Sequence, residues 1–151
     1  MKPLLLFLHL ASVVLWVGGM FFAYMCLRPV AARQLQPPQR LPLWAAVFAR
    51  FFPWVWLAVM LILASGLAMI LQVGFAAAPL NWHLMMTAGI VMMLIFAYVF
   101  FAPYGHLRRG VQAQDWQRAG AALNQIRRLI GVNLILGFAT VAIATLGQWL
   151  G

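Results

Sequence analysis

HLASVVLWVGGMFFAYMCLRP, His9 to Pro29, is apolar almost throughout and carries no charge before Arg28. It lies in a run without charge from Pro3 to Leu27. About 20 apolar residues suffice to cross the hydrocarbon core of a bilayer. The stretch returns as HLMMTAGIVMMLIFAYVFFAP, His83 to Pro103. His9-Leu10 matches His83-Leu84, Phe22-Ala23-Tyr24 matches Phe96-Ala97-Tyr98, and Pro29 matches Pro103. The step is constant, since 83 − 9, 96 − 22 and 103 − 29 all give 74. Val17 and Val91 fall in the same register. Two copies of one helix are expected, each carrying a histidine at similar depth.

Composition agrees with a membrane setting. Of 151 residues, 66% are hydrophobic and only 7% charged, where a soluble domain carries about 25% charged residues. The mean hydropathy is +0.97. Ten Lys and Arg face a single acid, Asp115. Such a balance can signal nucleic acid, but here the cations fall between apolar runs, so no nucleic-acid partner is expected and the lipid bilayer is. The lone Cys26 excludes an internal disulfide and any cysteine-based cluster. Lys2 and the apolar residues after it imitate a signal peptide, but the run is too long for one and offers no clear cleavage site. A retained helix is expected.

Working outward, the first span is expected over about residues 4–27, ended by Arg28, Pro29 and Arg33. Gln34 to Pro42, with three prolines, reads as a polar loop. Residues 43–52 read as a short interfacial helix with Trp44 and Arg50 at headgroup level. Pro53 then suits the first turn of a second span over 54–73, where its missing N–H costs nothing. In that span Ser65-Gly66 would let a neighbouring backbone approach. A short turn precedes a third span over 82–101. Residues 112–128 show helical spacing of apolar positions and read as an amphipathic helix leading into a fourth span, 129–146. Gln148, Trp149 and Gly151 mark its far interface. The expected fold is an all-α integral membrane protein, a four-transmembrane-helix bundle of two parallel two-helix repeats in one domain, residues 1–151.

Orientation follows from the cations. Arg28, Arg33, Arg40 and Arg50 fall in the first connection, and Arg108, Arg109, Arg118, Arg127 and Arg128 in the third, against Lys2 alone at the other end. By the positive-inside rule both termini are expected outside, in the periplasm of a bacterial inner membrane. His9 then lies about 9 Å down from the outer end of its span.

An ionisable side chain inside a membrane is a functional candidate by default. His9 and His83 are therefore the candidate ligands, with a hydrogen-bonded histidine near the headgroups as the plain alternative. Imidazole serves both haem iron and copper. Two histidines from facing helices could clamp a haem b, in an electron-transfer role, with Gly18 and Gly19 making room for its edge or simply packing helices. Copper is the alternative, using the same histidines with Met85 and Met86, since thioethers suit Cu(I). A third reading is an accessory subunit of a larger membrane complex, and a redox partner is compatible with the first. The interior faces are expected to carry Ser12, Trp16 and Gly19 beside His9, and Met86, Thr87 and Ile90 beside His83. Tyr24 and Tyr98 read as interfacial anchors, Asn133 and Thr140 as bundle-internal hydrogen bonders. His106, among arginines, stands apart from the outer pair. No nucleophile–base arrangement, Walker loop or carboxylate pair is present.

The first helix, HLASVVLWVGG, resembles that of CopD-type copper-resistance membrane proteins, and NQIRRLIGVNLILG, Asn124 to Gly137, resembles the fourth-helix region of short bacterial members. The resemblance implies a bacterial inner-membrane protein linked to copper. The first-helix histidine and the Trp82-His83 start of the third helix are also similar to the more distant HemJ family, which implies haem and protoporphyrinogen oxidation. That family's pattern has a lysine shortly after the histidine where this chain has Met85.

Overall fold

The computed structural model describes residues 2–149, with only the backbone of Gln148; the expectation for Gly151 and for the Gln148 side chain lies outside that range. Helix α1 spans Lys2–Phe21, continues through a π-helical segment, Phe22–Leu27, and runs on as α2, Arg28–Gln34. Pro29 does not stop the helix as expected. It has no N–H for the carbonyl four residues back and its ring crowds that carbonyl. The chain absorbs the conflict by widening, so that the Arg28 N–H bonds the Ala23 carbonyl, five residues back.

Only Leu35 and Gln36 of the expected loop are non-helical. Helix α3, Pro37–Val73, begins with proline in its first turn, the position where no N–H is needed. It then passes through both Pro42 and Pro53 without ending. The interfacial helix and the second span are therefore one element of 37 residues. At 1.5 Å per residue that is about 55 Å, well beyond a hydrocarbon core of about 30 Å. Packing offsets the two interrupted hydrogen bonds, because Leu41, Trp44, Phe48, Phe52 and Val55 are all buried while Pro53 faces outward.

A short turn, Phe75–Ala77, leads to α4, Leu80–Phe101, and α5, Pro103–Gln112. The expected amphipathic helix over 112–128 is split. Residues 113–115 form a turn, with Gln114 in the left-handed region at φ 54°. Asp115 then caps α6, Trp116–Leu146, its carboxylate accepting the Arg118 N–H at 3.1 Å. The single acid of the chain is thus spent on a helix start.

Four continuous helical segments, Lys2–Gln34, Pro37–Val73, Leu80–Gln112 and Trp116–Leu146, are long and apolar enough to cross a membrane. They form an antiparallel bundle whose closest packing is α1 on α3 and α4 on α6. The two hairpins meet through α3 and α6, with α1 touching α6 and α4 touching α3, so α1 and α4 lie across the diagonal. Trp16 of α1 reaches over that diagonal to meet Phe96 of α4 edge-on, ring centres 6.1 Å apart.

The core sits in the arginine-bearing half. Phe52 stacks on Phe48 at 4.9 Å and meets Tyr104 at 4.9 Å and Phe96 at 5.4 Å. Leu107, Ala119 and Ile126 are fully buried where α5 folds back on α6. Gly110 permits that approach, since a Cβ there would stand 2.9 Å from the Ala119 backbone nitrogen. The histidine-bearing half is sparsely packed. Along α4 every buried residue, Met92, Phe96 and Val99, lies in the second half of the helix.

Candidate metal site at the histidine end

His9 enters the bundle from the second turn of α1 and meets α3 where its residues are smallest. Its Nδ1 lies 2.9 Å from the Ser65 hydroxyl oxygen. Its Cε1 rests against Gly66, where a Cβ would come within 3.4 Å. What the Ser65-Gly66 pair admits is the imidazole side chain rather than the neighbouring backbone expected.

The neighbouring hydrogen bonds argue for one tautomer. Ser65 Oγ is 2.5 Å from the Leu61 carbonyl oxygen, a bond from the hydroxyl back to its own helix. A hydroxyl has one proton. Were it given to His9, two oxygens would face each other at that distance with no proton between them. Ser65 therefore donates to Leu61 and accepts from His9, so Nδ1 carries the hydrogen. Nε2 is left with its lone pair, the state in which imidazole binds a metal. Such an oriented second nitrogen is typical of ligating histidines.

His83 is held differently. It is half-buried and sits edge-on to Phe75, ring centres 4.7 Å apart. Met85 and Met86 beside it are half-buried. Two mid-bundle contacts set the relative heights. Val17 and Met92 both border Gly137, and from them His9 and His83 lie about 12 and about 13.5 Å up their helices. Measured from the Trp16–Phe96 contact, the heights are about 10.5 and about 19.5 Å. Both measures put the histidines in the same half of the bundle, with His83 nearer the end. No hydrogen bond or ring contact joins them.

The faces around them differ from each other. Ser12 and Trp16 are buried below His9 as expected, and Gly19 is half-buried. On α4, by contrast, Thr87 and Ile90 are exposed, and the Thr87 hydroxyl is satisfied by the His83 carbonyl at 2.9 Å. The expected inward stripe of α4 is a correction: with α4 packed mainly on α6, these positions turn outward to lipid. Gly19 is filled by the Phe51 ring, while Gly18 is exposed with nothing near it. The space at Gly19 is thus taken, and the open space at Gly18 lies on the exposed face of α1.

Elsewhere, Asn133 is buried and donates to the Met92 carbonyl at 3.0 Å, tying α6 to α4. Thr140 bonds only its own helix, at Leu136. Tyr24 is half-buried against Gly131, whereas Tyr98 is exposed and accepts from Gln125 at 3.0 Å. His106 is exposed, at the opposite end.

Among the described residues no three His, Cys, Asp or Glu gather into a metal-binding group. The donors near this end are imidazoles and thioethers. That set is poor for a hard dication and fits Cu(I), which accepts few, soft ligands. Ser65 was the residue sequence reasoning did not connect to His9; its only signal was the small Ser-Gly pair at the matching depth of the second span.

Residues 45–146, more than half of the chain, match the family model for copper resistance protein D. The match takes in Ser65, His83, Met85 and Met86, and begins after the helix that carries His9. No curated protein matches the chain, and no solved structure does.

Proposed function

The chain belongs to the CopD family, and on that premise we propose that it binds copper as Cu(I) at the histidine end of the bundle and passes it on. The observation that carries the reading is the His9 imidazole held through Nδ1 against the Ser65 hydroxyl, which leaves Nε2 as the candidate ligating atom. Nε2 would be one ligand. His83 and the thioether of Met85 or Met86 are the remaining candidates. The nine arginines at the far end, against Lys2 at this one, support a periplasmic histidine end and periplasmic termini in a bacterial inner membrane. Copper would then be met on the outer side.

A haem clamped between His9 and His83 draws less support. Of the two glycines that could have made room for its edge, Gly19 is occupied by the Phe51 ring. The family match is to a copper resistance protein, and the thioethers of Met85 and Met86 suit Cu(I).

The test is metal analysis of protein purified in mild detergent and loaded with Cu(I) under reducing conditions. Near-stoichiometric copper is expected, with most of it lost in His9→Ala and in His83→Ala. Full copper retention in the double histidine variant would contradict the proposal.

A further inference from the structure

The arginine end holds a second feature. A half-open cavity of about 460 Å³ lies between the π-helical segment, the first turns of α3 and the first half of α6. Tyr24, Arg28, Arg40, Trp44, Asn124 and Arg127 line it, over an apolar floor. The volume is in the range of small-molecule sites.

The charges single it out. Of the nine arginines, Arg28, Arg40 and Arg127 are half-buried, and all three line this cavity. Arg33, Arg50, Arg108, Arg109, Arg118 and Arg128 are exposed. Three like charges lining one cavity repel one another, and an anion among them relieves that repulsion. The one acidic side chain in the sequence, Asp115, caps α6. The wall is also built rather than incidental. The π-helical widening carries Tyr24, whose ring is packed on Gly131 and covered by the Arg28 guanidinium at 4.8 Å from its centre. Such segments concentrate at functional sites.

We propose that this cavity binds a phosphate ester with an apolar body, the phosphate held by Arg28, Arg40 and Arg127 and the apolar part lying along Trp44, Phe48 and Ile130. Arginine suits the phosphate because its planar fork donates two hydrogen bonds at once. Basic pockets beside membrane helices take anionic lipid headgroups in this way. A soluble phosphate ester shares the chemistry.

Native mass spectrometry of the full chain in detergent tests the site, with phosphatidylglycerol, phosphatidylcholine and glycerol phosphate as probes. A one-to-one phosphatidylglycerol adduct is expected, favoured over phosphatidylcholine. Its affinity should fall about fivefold for each of Arg28→Gln, Arg40→Gln and Arg127→Gln, and stay within twofold for Arg33→Gln and Arg118→Gln. Arg40→Lys, which keeps the charge but not the fork, should fall between. Persistence of the adduct against excess glycerol phosphate assigns the site to lipid, and displacement assigns it to a soluble ester. Equal binding of both lipids by the wild-type chain, or equal losses for the cavity and surface arginines, would overturn the proposal.

Discussion

The two ends of the bundle are built on different principles. At the arginine end an aromatic cluster around Phe52 and the folded-back α5 pack against α6, with Leu107 and Ile126 fully buried. At the histidine end the helices touch through small residues and single polar contacts, and Leu80, Leu84, Ile90 and Val91 of α4 are exposed. In a membrane, water does not drive helices together, so association depends on close packing. That packing is concentrated in one half. Stability is expected to reside at the arginine end, leaving the histidine end free to open and close around an ion, as binding regions tend to be drawn from the less stable parts of a fold.

The strongest way to break this contrast is to remove a large side chain from each end. Phe52→Ala should lower unfolding stability in detergent by about 3–5 kcal/mol, while Leu84→Ala should change it by less than about 0.5 kcal/mol. Comparable losses at both positions would mean that packing is spread evenly.

Glycines give a second comparison. Gly110→Val would force a branched side chain onto the Ala119 backbone and should cost about 1–3 kcal/mol or more. Gly89 of α4 has open space around its missing Cβ, so Gly89→Ala should gain up to about 1 kcal/mol from helix propensity. Thermal unfolding of the two variants side by side checks both signs.

How far these ends were legible in the sequence depends on the range of the interaction. The four long helices were written in the apolar runs, and the interior face of α1 in the spacing of Ser12 and Trp16 from His9. The helices' true extent was not. Local rules end a helix near Pro29, Pro42 and Pro53, but one π-helical widening and the buried row from Leu41 to Val55 carry the chain through. At Asp115 the local signal was present, an N-cap residue before a helical run, and the continuous apolar spacing across 112–128 masked it. The Ser65–His9 pair joins residues 56 apart; it requires the packing of α1 on α3, which no local pattern encodes.

A third comparison separates metal binding from stability. Ser65→Ala removes the acceptor that orients His9, and Cu(I) affinity should fall about 10–100-fold with little effect on unfolding. Competition against a Cu(I) chelator measures the first, and a thermal melt the second. The smallest effect is expected at Thr87, which lies on the outward face of α4. Thr87→Val should alter copper affinity less than twofold and stability by less than about 0.5 kcal/mol; a large loss of copper there would place the exposed face of α4 in the site.

X-ray absorption at the copper edge, on the Cu(I)-loaded chain, tests copper binding at the histidine end most directly. A low-coordinate Cu(I) spectrum with nitrogen and sulfur neighbours is expected, near the ordinary metal–imidazole distance of about 2.0 Å and metal–sulfur distance of about 2.3 Å. The nitrogen contribution should diminish in His9→Ala. A copper environment unchanged by both His9→Ala and His83→Ala would contradict the account.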